Sequence, residues 1–173
     1  TFMMTMLFIS IIANAQVSMT TSGSYSQDFN SLAISGTTNA WTNNATLGNW
    51  YAANGAGNLA TYRADNGTST AGALYSYGST GLTERALGSL GSGTPISLAY
   101  GLLLQNNSLS EITNMTITYV GEQWRNGGKT TFDSLKFFYQ VSPTAITDLT
   151  PASNTGWTPV TALHFSSPIA LAT

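Results

Sequence analysis

Hydrophobic and polar residues alternate in short runs along most of this chain, and Gly, Asn and Ser separate one run from the next. A period of two is typical of β-strands that bury one face, and no segment beyond Gln16 keeps helical spacing. Many short strands without helices favour an all-β fold, an antiparallel β-sandwich of the jelly-roll type. The predicted strands lie near residues 17–29, 48–53, 59–64, 72–77, 84–90, 96–105, 112–124, 131–142 and 156–165.

The run "ISLAYGLLLQ" has the strongest pattern of a core strand. Five large residues share one face, namely Ile96, Leu98, Tyr100, Leu102 and Leu104, and the other face has Ser97, Ala99, Gly101 and Leu103. We therefore expect this strand to carry much of the core.

The N-terminus has the features of a secretory signal peptide, apart from a positively charged first segment. An apolar run from Met3 to Ile12 leads to Ala13-Asn14-Ala15, a small-x-small cleavage pattern, before Gln16. The run is too short to span a bilayer as a stable helix. We expect a signal peptide over residues 1–15, a β-sandwich domain over residues 16–173, and a secreted or cell-surface protein without a transmembrane segment. The alternative is an apolar first strand.

Charge and cysteine content exclude several functions. Charged residues make up 7% of the chain and the formal net charge is −2, which provides no basic surface for nucleic acid. The chain has no Cys, so it has neither disulfides nor a thiolate metal site. With 42% hydrophobic residues, the chain can still bury a core.

The residues needed for catalysis are sparse. The one histidine, His164, precedes Ser166 and Ser167 without the spacing of a nucleophile and its base, and we expect it on the solvent side of a strand. One His without Cys does not favour a zinc site. Asp65 could donate oxygens to calcium, but "DNG" indicates an Asn66-Gly67 turn more simply. We expect no catalytic residue, no metal and no cofactor.

The stretch "GEQWRNGG" at residues 121–128 follows one predicted strand and precedes another. For the apolar faces of both strands to meet, odd positions must pair with odd, as Ile117 with Phe137. A two-residue Asn126-Gly127 turn would break this register. The loop therefore contains three residues, or Gly121 forms a bulge; the sequence leaves both open.

A tryptophan with polar neighbours at a turn suits a sugar ring, which stacks on the indole and hydrogen-bonds the side chains around it. The predicted ligand-binding residues are Glu122, Gln123, Trp124, Arg125 and Asn126. The structural alternative is that Trp124 packs, while Glu122 and Arg125 bind loop backbone or each other, or Arg125 pairs with Glu84. Further aromatic residues near predicted loops extend the same idea: Trp41, Trp50, Tyr51 and Trp157.

Several stretches resemble an N-terminal β-rich module of secreted and cell-surface proteins of Bacteroidetes and other environmental bacteria. The resemblance covers most of residues 25–142 and is most specific in the blocks "TERALGSL" and "GEQWRNGG". It implies a signal peptide, further domains downstream in the same chain and no established catalytic residues. It also implies that a C-terminal strand is missing here and that the chain is a fragment.

Two functions remain open at this point. The first is a non-catalytic, exported β-sandwich module that binds glycan or cell-surface material in a lectin-like way. The alternative is a structural or accessory N-terminal domain of a larger secreted enzyme, of nuclease or phosphatase type, without a ligand of its own. An enzyme active within these residues is less favoured than either, because base, nucleophile and metal ligands are all sparse.

Overall fold

A computed structural model describes residues 16–20, 23–93, 97–151 and 156–172. The predicted signal peptide at residues 1–15 lies outside the described residues. The described chain is β-structure joined by turns, and one 3₁₀ turn at Thr161–Leu163 is its single helical element. Six of the eight described strand pairings are antiparallel. The prediction of an all-β, mainly antiparallel fold is confirmed.

Thirteen short strands make up the described sheets. They are β1 (Val17–Met19), β2 (Asn39–Ala40), β3 (Trp50–Asn54), β4 (Gly57–Asn58), β5 (Thr61–Asp65), β6 (Ala73–Tyr77), β7 (Ala86–Leu90), β8 (Leu98–Leu102), β9 (Leu104–Asn106), β10 (Ser134–Leu135), β11 (Phe138–Tyr139), β12 (Thr158–Pro159) and β13 (Phe165–Ser166).

Two sheets share the main core. One has the order β2-β5-β6-β7 and the other β4-β3-β8. The core cluster takes Tyr62, Leu74 and Leu87 from the first sheet and Ala52 from the second, and Tyr100 of β8 packs against it. Two sheets that bury their inner faces against each other form the layers of a β-sandwich. The loops complete this core with Leu32, Trp41 and Leu47.

Strand β6 is the most buried element. Leu74 and Ser76 point to the core face, and Tyr75 and Tyr77 point to the opposite face, because successive side chains alternate along a strand. All four are buried. A strand in the interior of a sheet is buried on both faces only if something covers the outer one. Here the cover is the segment that carries Trp124.

The run "ISLAYGLLLQ" forms β8 and β9, but it is less central than its pattern predicts. Its described residues are half-buried or exposed, and Leu103 interrupts the strand. Strand β8 pairs with β3, while β9 pairs in parallel with β1. The second parallel pairing joins β5 to β6.

The predicted hairpin between residues 112–124 and 131–142 is wrong in its pairing. No strand is assigned between residues 107 and 133. The second segment breaks into β10, which pairs with β13, and β11, which pairs with β12. The chain instead reverses at Gly127 and Gly128, both with positive φ (67° and 74°), and the Lys129 N–H donates to the Asn126 carbonyl. Neither predicted loop form is present, because β13 and β12 pair with β10 and β11 in place of residues 112–124.

Within the described ranges, no helix is long and apolar enough to cross a membrane.

Candidate functional site

Trp124 lies over the outer face of β6. Its ring stacks on Tyr77 with 6.0 Å between centroids and 5° between planes. Tyr77 stacks in turn on Tyr75, at 4.8 Å and 14°. Small residues of β7 leave room for this stack: Gly88 lies opposite Tyr75, and a Cβ there would come within 2.8 Å of the Tyr77 ring. Three parallel aromatic rings therefore form a rigid base for the corner at residues 121–128.

The turn after β5 supports the same corner. The Asp65 carboxylate accepts hydrogen bonds from the backbone N–H groups of Gly67 (2.8 Å) and Ser69 (3.0 Å). This arrangement is an Asx turn, and it needs the positive φ of Gly67, 93°. The turn predicted at Asn66-Gly67 is confirmed. A Cβ on Gly67 would lie 1.9 Å from the Trp124 carbonyl oxygen, so the two backbones touch here.

Arg125 binds backbone rather than an acid. Its Nη1 donates to the carbonyl oxygens of Gly67 (3.3 Å) and Thr68 (3.1 Å). The predicted pair of Arg125 with Glu84 does not form. Among the residues that the structure describes, the one ion pair is that of Lys129 with Asp133. The guanidinium thus fastens the corner to the turn after β5, as the structural alternative anticipated for loop backbone.

Gln123 and Asn126 hold the C-terminal segment. The Gln123 amide donates to the Ile169 carbonyl oxygen (2.9 Å) and accepts from the Ile169 N–H (2.8 Å), which copies one rung of a β-ladder. The Asn126 amide donates to the Leu171 carbonyl oxygen. The two side chains therefore replace the backbone pairing that this part of the chain lacks.

Glu122 is exposed and accepts a hydrogen bond from the Trp124 indole N–H at 2.8 Å. The carboxylate thereby orients the indole ring, and it does not pair with Arg125. All five predicted site residues come together at this corner. Trp124, Arg125 and Asn126 also line an open depression of about 430 Å³ with Gly67, Gly127 and Gly128.

Burial raises the pKa of Tyr77 well above its ordinary value, because the low-dielectric surroundings disfavour the phenolate. Neighbouring Tyr75 and Asp65 act in the same direction, and Arg125 opposes them. Burial likewise raises the pKa of Tyr100, to about 12. Both tyrosines are neutral at physiological pH.

Arg85 is the buried charge of this region and was not singled out from the sequence. Only 2% of it is exposed, and burial lowers its pKa. Its Nε donates to the Ser76 hydroxyl at 2.8 Å, and its Nη2 donates to the Ser76 and Asp65 carbonyl oxygens. The Ser76 hydroxyl donates on to the Ala33 carbonyl. Arg85 therefore connects β6, the end of β5 and an N-terminal loop, a structural role.

His164 is not the solvent-side residue that its sequence position indicated. It follows the 3₁₀ turn, is half-buried, and its Nε2 is buried without a hydrogen-bond partner. It lines a crevice of about 310 Å³ between residues 117–121 and 162–165. The ring lies 6.5 Å from the Phe138 ring, centroid to centroid, with 40° between the ring planes.

The other aromatic residues serve the core more than a rim. Trp41 is buried, with its ring edge-on to Tyr62 at 6.0 Å. Trp50 packs against the core cluster and edge-on to Phe29 at 4.9 Å. Half-buried Trp157 donates its indole N–H to the Asp148 carbonyl. Trp124, by contrast, is one of the residues that line an open depression.

In the described part of the chain, no three His, Cys, Asp or Glu side chains converge where they could hold a metal ion. The corner at residues 121–128 offers a flat ring, amide groups and a guanidinium. Such a set can stack on and hydrogen-bond a polar ligand.

The chain matches no protein-family model, no curated protein and no solved structure.

Sequence reasoning found the five residues of the corner but missed what lies beneath them. Tyr75 and Tyr77 carried a signal, since their spacing of two in "ALYSY" puts both rings on one face of a strand. Gly67 was predicted only as a turn residue, and neither its contact with Trp124 nor the role of Gly88 carried a signal, because both depend on which distant residue approaches them.

Proposed function

We propose that this chain is a non-catalytic, exported β-sandwich module that binds glycan at the corner formed by residues 121–128. One observation carries the proposal: Trp124, whose ring stacks flat on Tyr77, lines an open depression with Arg125 and Asn126. A sugar ring presents a flat C–H face to an indole and hydroxyl groups to amide and guanidinium donors.

Rigidity favours binding at this corner. The indole N–H is occupied by Glu122, and the ring rests on two further aromatic rings. A ligand would therefore meet a platform that is already ordered, and binding would cost little side-chain entropy. Oxygen atoms of such a ligand would accept hydrogen bonds from those N–H groups of Arg125 and Asn126 that do not already bind backbone carbonyl groups.

A second function, that of a structural or accessory domain of a larger secreted enzyme, is favoured by a different observation. Gln123, Arg125 and Asn126 all donate hydrogen bonds to backbone carbonyl groups of other segments. Side chains already engaged within the molecule serve its stability, and a domain of this kind needs no ligand.

The two functions are separated by a glycan-array screen of the chain and of Trp124→Ala, with Trp157→Ala as the matched control. Trp157 is also half-buried but lies outside the corner. We expect one glycan class to bind the unchanged chain and Trp157→Ala, and Trp124→Ala to lose at least about tenfold in affinity, the equivalent of 1.4 kcal/mol.

Thermal melts of all three proteins accompany the screen. Loss of the stack on Tyr77 lowers the stability of Trp124→Ala by about 0.5–1.5 kcal/mol beyond the effect of the lost buried area. A cooperative melt with no glycan bound by the unchanged chain would reject glycan binding and leave the accessory domain. Equal glycan binding by both variants would place the ligand elsewhere on the surface.

A further inference from the structure

Residues 111–124 form a segment whose backbone makes no hydrogen bonds. None of their backbone N–H or C=O groups is paired with a backbone or side-chain group of the residues that the structure describes. The chain nevertheless runs from residue 111 to 126 without a helix, turn or bend, so it is extended. An extended segment with an open row of donors and acceptors is the edge that another strand can join.

The side chains of this segment have the alternation of a strand with one apolar face. Met115, Ile117 and Tyr119 occupy the odd positions and are all exposed. Asn114, Thr116 and Thr118 lie between them. The neighbouring C-terminal segment reaches this part of the chain only through side chains, as where the Tyr119 hydroxyl donates to the Leu163 carbonyl. The backbone of the segment is left for a partner.

We propose that this segment pairs in an antiparallel manner with the same segment of a second copy of the chain, with Ile117 opposite Ile117. In that register Met115 lies opposite Tyr119 in both halves, so Met115, Ile117 and Tyr119 of the two copies share one face. Thr116 lies opposite Thr118. The arrangement is two-fold symmetric, as an isologous interface requires.

Charge disfavours the parallel direction for such a pair. Residues 112–121 carry no charge, and Glu111 and Glu122 flank them. The antiparallel register puts Glu111 opposite Gln123 and Glu122 opposite Ile112. A parallel in-register pair would instead put each glutamate beside its own copy, which is repulsive. The antiparallel register thus keeps the like charges from facing each other, and the apolar pattern around Ile117 is its own complement. This interface is separate from the glycan site and does not depend on it.

The absence of cysteine from the chain allows a sharp test. Ile117→Cys introduces a single thiol at the two-fold axis, where opposed Cβ atoms lie about 4.5–5.5 Å apart, close to disulfide range. Val120→Cys is the matched control. The two copies of residue 120 are offset by six residues, roughly 20 Å along the strands.

We expect mild oxidation to convert Ile117→Cys to a disulfide-linked dimer at least tenfold faster than Val120→Cys. Random collision predicts the reverse order, because Val120 is 85% exposed and Ile117 is 39% exposed. Equal rates, or faster linkage through position 120, would overturn the proposal.

Sedimentation of the unchanged chain over a range of concentrations gives the second test. We expect a reversible dimer, weakened at least tenfold by Ile117→Lys, which puts two ammonium groups side by side. Val141→Lys, at another exposed apolar residue outside the segment, should leave it unchanged. Equal melting temperatures of the two variants would exclude misfolding. A chain that stays monomeric, or a dimer that survives Ile117→Lys, contradicts self-pairing.

Discussion

Gly67 lies against the Trp124 backbone, and two separate constraints act on it. Its φ of 93° is in the left-handed region, and a Cβ would meet the Trp124 carbonyl oxygen at 1.9 Å. Gly81 has a similar φ of 79°, but a Cβ there would meet nothing within 4 Å. Gly81 therefore has the backbone strain alone, whereas Gly67 has both the strain and the contact with Trp124.

We predict that Gly81→Ala lowers the free energy of unfolding by about 1–2 kcal/mol, the cost of a left-handed alanine. Gly67→Ala should cost at least about 2 kcal/mol more, because the corner at residues 121–128 must shift to admit the methyl group. Urea denaturation of both variants measures the difference. Equal losses in the two would mean that the contact between Gly67 and Trp124 contributes nothing.

The C-terminal segment is held to the corner by side chains instead of a ladder. Gln123 makes both bonds of one rung with Ile169. The remaining pairings of this region are two residues long, as in β10 with β13. A segment secured by so few bonds opens locally at a low free energy.

We predict that Gln123→Glu releases this segment, because a carboxylate oxygen then faces the Ile169 carbonyl oxygen in place of a donor. Hydrogen exchange at the Ile169 amide should accelerate about tenfold for each 1.4 kcal/mol of lost interaction. Gln105→Glu adds the same charge at an exposed position of β9 and should leave that amide unchanged. Unaltered exchange in Gln123→Glu would show that other contacts hold the segment.

At the scale of the whole molecule, two tyrosines with raised pKa values, Tyr77 and Tyr100, affect how stability responds to alkaline pH. Burial raises the pKa of Tyr100 from 10.0 to about 12 and raises that of Tyr77 as well. In the unfolded chain both ionise near their ordinary value. Between pH 10 and about 12 the unfolded chain therefore binds fewer protons than the folded one.

The free energy of unfolding is thus expected to be unaffected by these groups below pH 10 and to fall as the pH rises towards 12. Tyr100→Phe and Tyr77→Phe should each make that decline less steep. Tyr139→Phe, which removes an exposed ring hydroxyl, is the control. Denaturation in urea between pH 8 and 11 checks the slopes, and identical slopes in all four proteins would contradict the assignment.

The strands of the main core could be predicted within a few residues, as with β6 (Ala73–Tyr77) and β7 (Ala86–Leu90). Two-residue strands such as β2 (Asn39–Ala40) could not, because they have no period to detect. The pairing partner of residues 112–124 could not be predicted from the sequence either. Its alternation allows many partners, and the sequence does not say that β13 takes the edge of β10.

The sequence by itself determined the all-β class and the grouping of Glu122, Gln123, Trp124, Arg125 and Asn126 at one turn. Both follow from local properties: alternation, turn residues and neighbours in the chain. Only the tertiary structure decided that Trp124 rests on Tyr77, that Gly67 touches its backbone and that Arg85 is buried. These contacts join residues distant in the chain, and which surfaces meet depends on how the sheets pack.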